Sequence, residues 1–220
     1  MGGSLHLASA RAIVMIAAVL VPLSSVRGDG KGTIVSKPDI KVGDRWTYRS
    51  VNNWTNKEEF RYESVVTFLK PDVILGVQTN LLDKSEIDFH YTSELNTLSS
   101  RSGVYKPAEI FFKFPMQVGD IYETNYELVA RKGSEARTKR DGTAKVAGWE
   151  QVKVPAGEFR ALKIEINGTY QRLDARGGGW YKMTIWYAPE VKSWVKTSWE
   201  DGYPQPNNKI GRELVEYQVQ

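Results

Sequence analysis

The phrase Val42-Gly43-Asp44-Arg45-Trp46 returns in the middle of the chain as Val118-Gly119-Asp120-Ile121-Tyr122. Each time an apolar residue runs into a Gly-Asp turn and an aromatic residue follows. This is the chemistry of a tight corner that launches a strand: glycine accepts a positive φ, and a short carboxylate caps the backbone of its own turn. A chain that uses this corner twice, with alternating residues after it, is strongly constrained toward antiparallel sheet.

The alternation is widespread. Trp46, Tyr48 and Ser50 oppose Arg45, Thr47 and Arg49; Ile87, Phe89 and Tyr91 oppose Asp88 and His90; Ile110, Phe112 and Phe114 precede Pro115. In the second half Leu162, Ile164 and Ile166 oppose Lys163 and Glu165, and Tyr181, Met183, Ile185 and Tyr187 oppose Trp180, Lys182, Thr184 and Trp186. Val215, Tyr217 and Val219 read as a closing strand. Turn signals fall between these runs at Lys70-Pro71-Asp72, Pro155-Ala156-Gly157, Asn167-Gly168, Gly177-Gly178-Gly179, Ala188-Pro189-Glu190 and Asp201-Gly202. No amphipathic helix stands out. The pattern predicts an all-β fold: a curved antiparallel sheet, sandwich or incompletely closed barrel of roughly ten or eleven strands. One domain over residues 40–220 is expected, built of two similar halves, 40–115 and 116–220. Ser93 to Glu109 is the least patterned stretch and reads as loop or one short helix.

Residues 1–28 read as a secretory signal. Arg11 supplies the charge, Ala12 to Leu23 the uncharged apolar run, and cleavage is expected near Gly28. The run is shorter than the roughly 20 residues of a spanning helix, which disfavours a membrane anchor. An exported protein, periplasmic or extracellular, is therefore expected, with residues 29–39 as a flexible lead into the domain. Without Arg11 and Arg27 the formal net charge falls from +4 to +2, so polyanion binding is not written into the composition. There is no cysteine, hence no disulfide and no lipid-modified cysteine. Seven Trp, 11 Tyr and seven Phe supply the core instead.

Chemistry is narrowed by elimination. His6 falls in the signal, which leaves His90 as the one imidazole of the mature chain; multi-histidine metal sites and cysteine catalysis are both ruled out. His90 lies beside Asp88 on the polar face of a strand, and no nucleophile elbow accompanies it. Glu58, Glu59 and Glu63, then Asp83, Glu86 and Asp88, then Glu200 and Asp201 form acidic groups, but carboxylates on a solvent face are the ordinary way to keep a sheet soluble. The Gly177-Gly178-Gly179 run lacks the helix and the closing Lys-Ser or Lys-Thr of a phosphate loop. The triplets Asn53-Trp54-Thr55 and Asn167-Gly168-Thr169 are glycosylation acceptors only in a eukaryotic secretory pathway. No catalytic residue, metal ligand or cofactor is predicted, and the chain reads as a binding protein rather than an enzyme.

Two features are candidates for binding. The stretch Arg131, Lys132, Arg137, Lys139 and Arg140, with Glu135 as its one acid, reads as a solvated hairpin loop able to touch anionic head groups or an acidic partner. Trp180, Trp186, Trp194 and Trp199 are too many for one buried face. Alternation puts Trp180 and Trp186 on one side of a strand, and Trp194 and Trp199 on opposite sides of the next. The accessible rings would line an apolar groove for a lipid, a lipoprotein segment or an envelope protein partner. Nucleic acid is not an expected partner. The alternatives are a carboxylate-based hydrolase of carbohydrate or ester, and a structural subunit of an envelope assembly.

The ordered segments VGDRWTY, FPMQVGD, GWEQVKVPAGEFRALKIE, TIWYAPEVKSWVK and ELVEY resemble the TapB-like family of exported bacterial proteins of unknown function, with its VGD, VPAG-x-F and WYAP-x-V signatures. The resemblance runs over most of Lys41 to Tyr217. It implies a β-rich, periplasmic or envelope-associated fold, and it carries no activity and no catalytic residues. Lys192 stands where many such chains have glycine, which predicts a wider turn after Ala188-Pro189-Glu190-Val191.

Overall fold

The computed structural model describes residues 32–131 and 136–220; the signal expected over 1–28 and Lys132 of the basic stretch lie outside them. Thirteen strands follow in chain order: β1 (Arg45–Asn52), β2 (Lys57–Lys70), β3 (Val73–Asn80), β4 (Glu86–Thr92), β5 (Thr97–Ser100), β6 (Gly103–Glu109), β7 (Ile121–Glu123), β8 (Tyr126–Ala130), β9 (Arg137–Val154), β10 (Gly157–Arg172), β11 (Gly178–Ala188), β12 (Ser193–Gly202) and β13 (Pro206–Gln218). Each of β1 to β5 pairs antiparallel with the next, β6 pairs with β8, and β8 with β9. The run continues through β10, β11 and β12 to β13, which pairs back onto β1. The result is a closed, up-and-down barrel of twelve strands with one extra, β7. β7 lies on the same edge of β9 as β8, opposite Thr143–Lys145 where β8 takes Arg137–Arg140.

The expected all-β, antiparallel architecture is present, but the barrel is closed and has more strands than the ten or eleven expected. Ser93–Glu109 holds β5 and β6 rather than loop or helix. β5 is only four residues long and shifts register between Thr97 and Ser99, so that Thr97 and Ser100 face inward, and hydrophobic alternation could not reveal it. Asn167-Gly168 is not a turn. It sits in mid-strand, Gly168 facing Gly142 of β9, because the Tyr181 ring lies across both. A Cβ on Gly142 would stand 2.3 Å from the Tyr181 Oη, and one on Gly168 2.6 Å from its ring.

The two Val-Gly-Asp corners are the same structure. In the first, Gly43 N–H donates to Val66 O (2.8 Å), Val66 N–H to Asp44 O (2.9 Å), and Asp44 Oδ2 accepts from Lys41 N–H (2.9 Å). In the second the partners are Gly119 to Val146 (2.9 Å), Val146 to Asp120 (2.9 Å), and Gln117 to Asp120 Oδ2 (2.8 Å). Both glycines hold a positive φ, 94° and 101°. After the first corner β1 runs unbroken; after the second the strand is interrupted between β7 and β8.

Both corners lie at one end of the barrel, and that end is filled. Residues 110–118 fold across it, with Phe112 and Met116 almost fully buried and Phe112 packed 5.1 Å from the Tyr187 ring. Asn96 fastens this plug by accepting from the N–H groups of Phe111 (2.8 Å) and Phe112 (2.9 Å) and donating to Phe112 O (2.8 Å). Part of the lead expected to be flexible packs here too: Val35 exchanges two backbone hydrogen bonds with Met116 and is buried, as is Ile40. Pro189–Val191 forms a tight 3-10 turn closed by Lys192 N–H to Pro189 O (3.0 Å), not the wider turn expected. Lys192 takes the left-handed φ of 58° that glycine would adopt freely, and its Nζ donates to Asp39 O (2.6 Å).

Inward positions are apolar or aromatic along most strands, whereas outward positions carry most of the charged side chains, with single apolar residues such as Phe68 and Val104 among them. Arg49 pairs with Glu213 at 2.7 Å, and Lys163 bridges Glu150 (3.1 Å) and Glu165 (3.0 Å) on the outer wall. This is the reverse of a lipid-embedded barrel, whose outward face is an apolar band.

Candidate functional site: the open end of the barrel

The other end carries the β1–β2, β3–β4, β5–β6, β8–β9, β10–β11 and β12–β13 connections and is not plugged. Inside it lie two cavities of about 190 and 210 Å³ that share Ser102, Tyr105, Glu109, Phe111, Met183 and Arg212 in their walls, so they form one continuous lumen. A smaller pouch of about 50 Å³ reaches toward the plug between Tyr48, Phe89, Phe112 and Trp194.

Aromatic side chains build the walls because one face of every strand must be covered and the barrel has no second sheet to cover it. Tyr62 on β2, Tyr105 on β6 and Tyr181 on β11 are buried deeply enough that each hydroxyl is pushed up to about 12 by loss of water. Trp199 stacks on Tyr181 with centroids 5.1 Å apart, and the Arg140 guanidinium lies 4.5 Å from the Trp199 ring centroid.

Polar groups are concentrated along one side. Glu109 is 7% exposed and accepts a hydrogen bond from the Tyr126 hydroxyl, which in turn accepts from Arg140 Nη1 at 3.0 Å. Burial pushes the Glu109 carboxyl above the usual carboxylate range, against the pull of Arg140, Tyr126 and Arg212. Asp201 borders the same cavity and accepts from Trp199 Nε1 at 2.7 Å. Arg140 Nε and the Tyr181 hydroxyl are buried without a hydrogen-bond partner. Arg212, between Thr197 of β12 and Ser50 of β1, forms no side-chain hydrogen bond or ion pair among the described residues.

The four candidate tryptophans divide between the two faces. Trp194 and Trp199 both border the lumen, although simple alternation puts them on opposite sides; a β-bulge between the Trp186–Lys196 and Tyr187–Trp194 pairs shifts the phase and turns Trp194 inward, where it stacks on Tyr48 at 3.7 Å. Trp180 and Trp186 are on the outer wall, their Nε1 groups donating to Pro204 O (3.1 Å) and Glu150 (2.7 Å). The basic stretch is not one solvated loop. Arg131 donates to the backbone oxygens of Ser100 and Asp88, both at 2.7 Å; Arg137 pairs with Glu127 (2.6 Å) and Lys139 with Asp141 (2.9 Å). Arg140 points into the barrel. Nothing in the local sequence pattern singles out Glu109, Tyr105 or Tyr126. One signal exists for Arg212: it stands two residues before Leu214, which is fully buried, so strand alternation aims it inward. His90 is exposed on β4, and no group of three or more His, Asp or Glu side chains able to hold a metal occurs among the described residues.

Fold and site together define a water-exposed twelve-stranded β-barrel, plugged at one end and open at the other onto an aromatic, arginine-bearing lumen. Two solved structures share the architecture. One is a lipoprotein candidate from Parabacteroides distasonis, 14% identical, with a TM-score of 0.59 over 85% of this chain and 100% of that one. The other is a candidate exported protein with a YmcC-like fold from Bacteroides fragilis, 15% identical, with a TM-score of 0.56 over 84% of this chain and 100% of that one. No family model matches the chain, nor does any curated protein, so the TapB-like resemblance is carried by its short motifs alone.

Proposed function

We propose that this is an exported, non-enzymatic carrier or receptor of the cell envelope that takes a small apolar or amphipathic molecule, a lipid among them, end-on into the open barrel. The observation that carries the reading is the lumen itself: a continuous cavity walled by tyrosine, phenylalanine and tryptophan, sealed below by Phe112 and open above. Export is supported by the signal-like first 28 residues and by the likeness to proteins described as exported or as lipoprotein. The charged outer wall fits a protein surrounded by water.

Uptake of N-phenyl-1-naphthylamine, a neutral fluorophore that brightens in apolar surroundings, tests this. Wild type and Trp186→Ala, altered only on the outer wall, should both bind it; Ser100→Trp, which places an indole in the lumen, should not. Absence of uptake by wild type, or uptake unchanged by Ser100→Trp with the circular dichroism spectrum intact, overturns the reading.

One observation favours a hydrolase as the second reading: Glu109 and Asp201 border one cavity, and a carboxyl that burial pushes above the usual carboxylate range suits a general acid. Both carboxyls are already engaged, by Tyr126 and by Trp199. Hydrolysis of nitrophenyl esters or glycosides that vanishes in Glu109→Gln would establish the enzyme; no turnover by wild type removes it.

A further inference from the structure

Arginines without a carboxylate partner occur on both faces of the barrel, but Arg45 and Arg160 on the outer wall are exposed to water whereas Arg140 is largely buried in the lumen wall. On the outer wall and rim, Arg49, Arg61, Arg137 and Arg172 each meet a carboxylate at 2.5 to 2.7 Å. Inside, Arg140, Arg212 and Arg101 border the lumen, and none has a carboxylate within ion-pair distance among the described residues. The two acids beside them do not cancel this charge. Asp201 is committed to the Trp199 indole and Glu109 to the Tyr126 hydroxyl, and three arginines face these two acids. A cation held in a low-dielectric site without a counter-charge is costly, and a bound anion removes that cost. The buried Nε of Arg140 has no acceptor, so the lumen also has donor capacity to spare.

We infer that the ligand is an amphiphile with an anionic head group, a carboxylate or phosphate, held between Arg140 and Arg212, with its apolar tail lying along Tyr105, Phe111, Met183 and Trp194. This rests on the binding role proposed above and adds the charge of the ligand to it. Arg212 offers the planar fork that accepts a carboxylate or phosphate through two parallel hydrogen bonds. Arg140 is braced from behind by Tyr126 and by the Trp199 face, so little rotamer freedom remains to be lost when an anion arrives. The aromatic floor below accommodates the chain and gives the head group no competing partner.

The test separates head from tail. Two fluorophores with the same aromatic skeleton, neutral N-phenyl-1-naphthylamine and its sulfonated relative 8-anilinonaphthalene-1-sulfonate, are titrated into wild type, Arg212→Met and Arg140→Met, with folding checked by circular dichroism and melting temperature. Wild type should bind the sulfonate about tenfold or more tightly than the neutral probe, and Arg212→Met should abolish that preference while keeping neutral uptake. Decanoate and decyl phosphate should displace the probe, whereas methyl decanoate and decanol should do so about tenfold less well; decanoate against decyl phosphate then decides which anion is preferred. Neutral binding without any preference for the anion, or a preference that survives Arg212→Met and Arg140→Met alike, overturns the inference and leaves the carrier reading standing. If no probe binds wild type, the carrier reading itself fails. Should Arg140→Met unfold, Arg212→Met decides the outcome alone.

Discussion

The two ends of the barrel are made of similar residues and held together in opposite ways. At the plugged end the polar side chains that hold the structure together are assigned: Asn96 stitches residues 111 and 112, Asp44 and Asp120 cap their own corners, and Lys192 ties Asp39 and Gln220. At the open end Arg140 Nε and the Tyr181 hydroxyl are buried without hydrogen-bond partners, and Arg212 has no ion pair among the described residues. Buried polar atoms left unsatisfied lower stability, and proteins concentrate such costs where function requires them. The closed end is accordingly read as structure and the open end as site. Substitutions below should cost folding; substitutions above should cost binding.

The largest effect is expected at the plug. Phe112→Ala removes a fully buried ring between Phe114 and Tyr187 and should lower the unfolding free energy by about 3–5 kcal/mol in urea titration. A loss below about 1 kcal/mol would mean that the plug is not part of the cooperative core. Next come the corners. Gly43→Ala and Gly119→Ala each force a side chain into a positive φ and should each cost about 1–3 kcal/mol. The added methyl at Gly119 meets nothing within 4 Å, and at Gly43 only the end of the Gln220 side chain, so near-equal losses would confirm that both report backbone conformation alone.

Glu109 sharpens the comparison through pH. Its carboxyl titrates above 4.5 in the folded barrel, so the folded state binds the proton more tightly than the unfolded one. The stability this contributes is fully present below the unfolded value of about 4.5 and is lost as pH rises through the higher folded value. Arg140, Arg212, Tyr91, Tyr105, Tyr126 and Tyr181 are the charged or titratable groups around it, and the tyrosines stay neutral over that range. Glu109→Gln should flatten this part of the stability–pH curve; a slope unchanged in the variant would place the titrating group elsewhere. The smallest changes belong to Arg212→Met, which exchanges an unpaired cation for an apolar chain and should shift stability by less than about 1 kcal/mol, with either sign, and to Arg137→Ser and Lys139→Ser, whose exposed ion pairs contribute about 0–1 kcal/mol each.

At the plugged end the corners are legible in the sequence but the plug is not, since Ile110, Phe112 and Phe114 alternate like a strand without forming one and part of the expected flexible lead is packed; of the open end little is legible. The repeated Val-Gly-Asp corner announces itself because its geometry needs glycine and a short carboxylate at fixed positions. Strands such as β10 and β11 are visible because hydrophobic alternation sustained over so many residues is produced by little besides a half-buried strand. Asn167-Gly168 misleads because the same glycine that permits a turn also permits the close approach of Tyr181. Alternation assigns Trp194 to the wrong face because a bulge of one residue inverts the pattern beyond it. The lumen is harder still. Arg140 comes from β9, Glu109 from β6, Tyr126 from β8, Trp199 from β12 and Arg212 from β13, and only closure of the barrel brings them together. Within its own segment Arg140 is one base in a basic stretch and Arg212 one charge in a polar run, so local pattern has little to distinguish them by.

Native mass spectrometry of the protein isolated from its own cells, sprayed under conditions that keep non-covalent ligands, tests the central claim most directly. The account predicts one amphiphile per chain, released on denaturation, detected as an anion, and lost from Ser100→Trp and Arg212→Met but kept by Trp186→Ala. A bare chain of the expected mass that also takes up neither the neutral nor the sulfonated fluorophore would contradict it.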